Sequence, residues 1–258
     1  MQFITVATEG PVTTITLNRP EVMNAINHAM HHELQAAFDG FAADDSLHVC
    51  VVTGAGERAF CAGSDLKAAV ADGHRDYPKS GYAGLIERFD CPKPIIAAVN
   101  GLALGGGFEV ALACDIIIAN ETASFGLPEP LVGAVALGGG LHRLARQIGL
   151  KQAMGMILTS SRMSAAEGLR LGFVNEVVPA ADLSAATARW SAEILRASPM
   201  SIRASKECVR LGLAEADVEA AMKNQPHYPA FQAWAASEDA KEGPRAFAEK
   251  RTPVWKGR

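Results

Sequence analysis

The sequence predicts an α/β core followed by a helical C-terminal region. Three observations carry that expectation. Short apolar strand candidates alternate with helical stretches as far as Val178. From Asp182 onward the pattern is nearly all helical, broken at Pro199 and across Gln225–Pro229. Within the first of these regions, Pro94–Pro130 joins two apolar strands through a glycine run.

Each element follows from a local pattern. Ile4–Leu17 reads as two strands joined at Gly10-Pro11, the first running over Phe3–Thr8. Met30, Leu34, Ala37, Phe38 and Phe41 recur at helical spacing, with His31 and His32 expected to be solvated or packed at the edge of that helix. His48–Thr53 is an apolar strand, followed by a turn at Gly54–Gly56 and a loop through Phe60–Leu66. Ala68–Tyr82, with Asp72-Gly73 and Pro78, reads as a flexible surface loop. Strands are expected at Ile95–Val99 and Asp115–Ala119, with a glycine loop Gly101–Gly107 and a short apolar helix between them. Helices follow near Leu141–Ile148 and Lys151–Leu158. Ser164 and Glu167 form a capping-box signature, with Gly172 as the stop. Val174–Val178 is a further strand. No sequence repeat and no low-complexity segment stands out.

Bulk composition bounds the function. The 258 residues are 49% hydrophobic and carry a formal net charge of -4, enough for an ample core. The acidic balance argues against nucleic acid as a main partner. No apolar run reaches the roughly 20 residues of a membrane span, and with an alternating strand at Phe3–Thr8 no signal or transit peptide is expected. Cys50, Cys61, Cys91, Cys114 and Cys208 make no CxxC or Cys/His cluster. A reducing, cytoplasmic setting and no metal site are therefore expected.

Two glycine motifs invite nucleotide readings and resist them. Gly54, Gly56 and Ala59 match GxGxxA, but the following Phe60–Gly63 is a poor helix start. Gly105–Gly107 lacks the Gly-Lys-Ser/Thr ending of a phosphate loop. A glycine run entering a helix also offers bare N–H groups to a developing negative charge. Glu109 and Glu129 lie close to it in apolar or small-residue surroundings, and two such carboxylates can move protons. Taken singly, the glycines could serve helix–strand packing, Glu109 the helix dipole, and Glu129 a turn between two prolines. Together with Phe60–Leu66 they point to an enzyme that builds and discharges an oxyanion.

The ordered motifs resemble the enoyl-CoA hydratase/isomerase, or crotonase, superfamily over essentially the whole chain. They are Asn18–Asn27, Val51–Lys67, Asn100–Glu109 and Phe125–Glu129. The ending Glu242–Arg258 and the run from Ser64 to Ala69 are similar to carnitinyl-CoA dehydratases in particular. The resemblance implies a spiral β/α core over residues 1–195 with the acyl-CoA site. It also implies a helical oligomerisation region over 196–258, a trimer or dimer of trimers, and acyl-CoA thioester substrates. Coenzyme A belongs to the substrate, and no separate cofactor is implied. The oxyanion hole carries over to the backbone N–H groups of Ser64 and Gly106, and the two carboxylates to Glu109 and Glu129. Substrate contacts are implied at Glu21, Val22, Met23, Ala62, Gly63, Asp65 and Leu66. Lys250 matches a position associated with the CoA phosphate.

The expected reaction is reversible addition of water to a 2-enoyl-CoA. Glu109 would activate the water and Glu129 would supply the α-proton. An isomerase needs one base, so two glutamates argue against it. A non-catalytic acyl-CoA-binding or RNA-binding member would be expected to lack the glutamates or to carry a basic surface. Ala136 and Leu137 stand where hydratases usually carry Pro-Gly. Leu137 near the water site favours a plain short or medium acyl chain, with carnitinyl-CoA (hydration of crotonobetainyl-CoA) as the alternative. For a trimethylammonium group, Asp72, Asp76, Tyr77 and Tyr82 are the candidate partners.

Overall fold

Successive strands hop between two sheets, and that alternation organises the first part of the molecule. The computed structural model describes residues 1–72 and 76–258. In chain order the strands are β1 (Ile4–Glu9), β2 (Val12–Leu17), β3 (Val49–Gly54), β4 (Ala59–Cys61) and β5 (Ile95–Val99). They continue with β6 (Leu102–Leu104), β7 (Ile116–Asn120), β8 (Ser124–Gly126), β9 (Met163–Ser164) and β10 (Glu176–Val178). One sheet has the order β1-β2-β3-β5-β7-β10 and the other β4-β6-β8-β9. Each of β3, β5 and β7 passes within a few residues to a strand of the second sheet. The pairs β2–β3, β3–β5, β5–β7, β7–β10, β4–β6 and β6–β8 are parallel; the β1–β2 hairpin and β8–β9 are antiparallel. The result is a structural repeat without a sequence repeat. Backbone pairing needs only an apolar strand at each turn, and side-chain identity is free to drift.

The strands are apolar because they are covered. All of β5, Ile-Ile-Ala-Ala-Val, is buried, as expected of a parallel strand with both faces packed. The chain divides into two compact units, Met1–Phe89 with Ile95–Arg189, and Asp90–Pro94 with Trp190–Arg258. In the first unit Phe108, Phe125 and Phe173 meet with ring centroids 5.2 to 5.4 Å apart. Such rings bury large apolar areas and prefer these tilted contacts.

Its helices are α1 (His28–Ala43), α2 (Leu66–Asp72), α3 (Gly106–Ala113), α4 (Gly140–Gln147), α5 (Leu150–Thr159) and α6 (Ala165–Leu171). Asn27 caps α1 by accepting from the Met30 N–H. Met30, Leu34, Ala37, Phe38 and Phe41 form its buried stripe, as their spacing predicts. The capping box at Ser164 and Glu167 is present, and Gly172 ends α6 at φ 93°.

The helix α7 (Leu183–Leu195) crosses the boundary between the units. The second unit continues with α8 (Pro199–Gly212), α9 (Val218–Asn224), α10 (Pro229–Ala236) and α11 (Asp239–Ala248). Pro199 and Pro229 stand in the first turns of α8 and α10, where the missing N–H costs nothing. Within this unit Asp239 accepts from Ser198 Oγ at 2.8 Å and from the Lys256 N–H at 2.7 Å, which binds the C-terminal segment to α8.

Two local expectations are corrected and one is narrowed. Ala68–Tyr82 is not a single surface loop. Its start is the end of α2, because Asp65 accepts from the Ala68 N–H at 3.1 Å and caps the helix. Its end is buried, with Tyr82 only 4% exposed; Gly73–Arg75 lie outside the described residues. His31 is packed and not solvated, the second of the two expectations for it. It is 5% exposed and accepts from the Ala83 N–H through Nδ1 at 2.9 Å. The glycine loop also contains a strand, β6, because the second sheet draws Leu102–Leu104 into pairing.

Candidate active site

The site is assembled where the second sheet's loops meet the start of α3. Gly63 lies just beyond β4 and Gly105 just beyond β6. A Cβ on Gly63 would stand 2.9 Å from the Leu104 carbonyl and 3.3 Å from the Gly106 nitrogen. Only a glycine lets these two backbones come so close. Ser64 pairs in parallel with Ile26 through the Gly63 carbonyl and the Asp65 N–H. That pairing turns the Ser64 N–H to the opposite edge of its segment. Gly106 opens α3, so its N–H has no acceptor inside the helix. The two N–H groups named from sequence are thus brought together.

Glu109 stands in the first turn of α3 and is 4% exposed. Its Oε1 accepts from the Gly140 N–H at 2.9 Å. Burial above all, with the Glu129 charge in the same sense, pushes the Glu109 carboxyl up to about 7. The N–H groups of Gly140 and Gly138, and the Arg143 charge, pull the other way.

Glu129 follows Pro128 at the head of a short 3-10 turn, Glu129–Val132. Its Oε1 lies 3.0 Å from where a Cβ of Gly105 would stand. Its Oε2 is buried, and no hydrogen-bond partner reaches it among the described residues. Burial raises the proton affinity of this carboxyl too. Two acids therefore flank the Gly105–Gly107 turn, both biased toward holding a proton. One is held by backbone donors and the other keeps an unpartnered oxygen.

The remaining predicted contacts separate into two groups. Glu21 and Val22 lie in a 3-10 turn, Pro20–Val22, and Met23 follows at φ 55°. The Ala62 N–H donates to the Met23 carbonyl at 3.0 Å, so this turn is joined to the Ala62–Leu66 segment. Buried Asn24 holds the arrangement by donating to the Ala55 and Ala59 carbonyls. Asp65 is engaged by the scaffold, with Arg19 Nη1 at 2.9 Å. Burial pulls its carboxyl up, but the Ala68 N–H and Arg19 outweigh that and hold it below its usual value. Leu66 is exposed at the start of α2. The structure places Leu137 in solvent at 84% exposure, a rim rather than a wall over the acids. Lys250 belongs to the second unit, just after α11, with φ 54°.

Sequence reasoning missed one group beside Glu109 and, of a second whose tyrosines it named as partners for a cation, the meeting with His31. Arg143 donates from Nη2 to the Ile86 carbonyl at 2.6 Å and from Nη1 to the Gly138 carbonyl at 3.3 Å. It thereby joins the segment carrying Tyr82 to the loop that holds Glu109. The available signal was an arginine one turn into a helix that opens on three glycines. The second group is aromatic. His31, Tyr77 and Tyr82 meet edge-on, with centroids 4.5 to 5.7 Å apart. Burial holds His31 down to about 4, so this cluster carries no positive charge near neutrality. The Glu109 charge reaches both tyrosines.

Known proteins resemble this chain in both sequence and fold. The enoyl-CoA hydratase/isomerase family profile matches residues 7–258. A carnitinyl-CoA dehydratase of Proteus mirabilis (strain HI4320) is 44% identical over 265 residues, covering 100% of this chain and 99% of that one. The crystal structure of an enoyl-CoA hydratase from Mycobacterium tuberculosis H37Rv superposes with TM-score 0.92 at 36% identity, with 100% of both chains covered. That of a carnitinyl-CoA hydratase from Mycobacterium avium gives TM-score 0.77 at 42% identity, again with both chains fully covered. The chain belongs to the enoyl-CoA hydratase/isomerase, or crotonase, family.

Proposed function

We propose that this enzyme hydrates crotonobetainyl-CoA and, in reverse, dehydrates carnitinyl-CoA. The observation that carries the chemistry is the pair Glu109 and Glu129, set on either side of the glycine turn with raised proton affinities. The cationic substrate draws support from the relatives named carnitinyl-CoA dehydratase.

The Ser64 and Gly106 N–H groups would hold the thioester oxygen. Ionised Glu109 takes a proton from water as the water oxygen bonds to the β-carbon. The displaced electron pair moves to the thioester oxygen, where the two N–H groups stabilise it. Protonated Glu129 then gives its proton to the α-carbon as the carbonyl re-forms. Glu109 ends protonated and Glu129 ionised, and one proton passed back between them resets the pair. A carboxyl near 7 is well matched to this work, because it exchanges protons in either direction at neutral pH.

The plain enoyl-CoA expected from Leu137 becomes the second reading. An exposed side chain offers little buried surface to a hydrocarbon tail. Tyr77 offers more to a cation, being 54% exposed and backed by two further rings. Asp76 is exposed beside it, and the Asp72 side chain lies outside the described residues. Comparing kcat/KM for crotonobetainyl-CoA and crotonyl-CoA is the test. A preference of tenfold or more for the cationic thioester, about 1.4 kcal/mol, is expected. A preference for crotonyl-CoA reverses the assignment.

A further inference from the structure

A side-chain hydroxyl stands at the mouth of the backbone oxyanion hole. Ser64 Oγ donates to the Tyr82 hydroxyl at 3.3 Å. The phenolic proton of Tyr82 itself has no acceptor among the described residues. A Cβ on Gly106 would stand 2.5 Å from the phenol oxygen, so that oxygen lies against the Gly106 backbone. Tyr82 therefore touches both residues whose N–H groups form the hole. A buried donor with no acceptor calls for a partner. The group that would arrive there is the thioester oxygen.

We propose that the Tyr82 hydroxyl is a third hydrogen-bond donor to the thioester oxygen, and so a catalytic residue. The proposal rests on reading Ser64 and Gly106 as the oxyanion hole. Its geometry is set from three sides. The Tyr82 ring meets His31 edge-on at 4.5 Å. The next residue, Ala83, is held at φ 55° by its N–H bond to His31 Nδ1. Such a backbone is uncommon for alanine and fixes the direction in which the preceding ring leaves the chain. Ser64 Oγ supplies the third constraint and occupies a lone pair of the phenol, which leaves its proton to be given outward. Burial above all, with the Glu109 charge in the same sense, keeps the phenol protonated near neutrality. The proton stays on Tyr82 throughout. Its hydrogen bond shortens as enolate charge builds on the thioester oxygen and relaxes when the carbonyl re-forms.

The test uses cinnamoyl-CoA, whose long-wavelength absorption moves to the red when donors polarise its carbonyl. The bound wild-type complex is expected to show that shift. Tyr82→Phe should show a smaller shift and a kcat for hydration lower by about 10²-fold, with KM little changed. A variant that keeps both the shift and the rate overturns the proposal. One that turns over faster overturns it too, and identifies the ring as an obstruction in the hole. If the wild type shows no shift, the oxyanion-hole reading fails and Tyr82's role with it. A second measurement does not depend on the fold of that variant. Tyr77→Phe/Tyr228→Phe leaves Tyr82 as the single tyrosine of the three. Incorporating 3-fluorotyrosine there, a more acidic donor, should enlarge the shift, and an unchanged shift rejects the donor role.

Discussion

The Gly140 N–H donates to Glu109 Oε1 at 2.9 Å, so the acid in α3 is oriented by the first residue of α4. Two helices distant in sequence thus determine where one carboxylate points. Among the described residues no such donor reaches Glu129 Oε2. The two acids are therefore chemically distinct before any substrate arrives.

Both should be required for turnover. Glu109→Gln and Glu129→Gln are each expected to lower kcat by at least ~10², the range of general acid–base groups. Steady-state hydration measured beside circular dichroism checks this. Near-normal turnover in either folded variant would rule out a two-carboxylate mechanism.

The raised Glu109 carboxyl predicts a pH signature. The rate limb governed by Glu109 should lie close to 7. The charged and titratable groups in its field are Glu129, Arg143, Tyr77 and Tyr82. Arg143 favours ionised Glu109, so Arg143→Met should move the limb to higher pH and Arg143→Lys should restore much of it. A pH–rate profile unmoved by Arg143→Met leaves Arg143 a purely structural role.

The same shift has a stability consequence. A carboxyl that binds its proton more tightly when folded favours folding at low pH. That contribution is present below about 4.5, the ordinary value, and is lost as pH rises through about 7. Tm of the wild type should therefore fall relative to Glu109→Gln across that window. Parallel curves for the two proteins would refute the burial argument.

Ser64 is expected to act mainly through its backbone. Any residue but proline supplies that N–H. Ser64→Ala should cost little, since it removes only the donor to Tyr82, while Ser64→Pro should abolish turnover. A loss beyond about tenfold in folded Ser64→Ala, at 1.4 kcal/mol per factor of ten, would give the hydroxyl a role in catalysis, directly or through its hold on Tyr82.

The second unit predicts self-association. Val209, Val218, Met222 and Phe247 on its helices, and Leu213 just after α8, are large exposed apolar side chains. Burying them against other copies removes that surface from water. Light scattering at micromolar concentration should report a trimer or a dimer of trimers, and a stable monomer would reject this.

Much of this protein was legible in its sequence because the physics involved is local. The stripe from Met30 to Phe41, the capping box at Ser164, the stop at Gly172 and the buried run of β5 each follow from spacing or from one residue's backbone preference. Glu109, Glu129 and the glycine turn stood out for the same reason: polar groups and bare N–H groups set in apolar surroundings. What only the tertiary structure decided depends on distant segments meeting. Nothing in the order of residues shows that Asp65 is committed to Arg19 and α2, or that Leu137 projects into solvent. His31 lies buried beside two tyrosines because α1 packs on the segment from Tyr82 to Gly84, a meeting no helical wheel contains. The Tyr82 hydroxyl reached Ser64 and Gly106 by the same route. A side chain's chemistry is written at its own position, but its partners are chosen by close packing, and packing is a property of the whole fold.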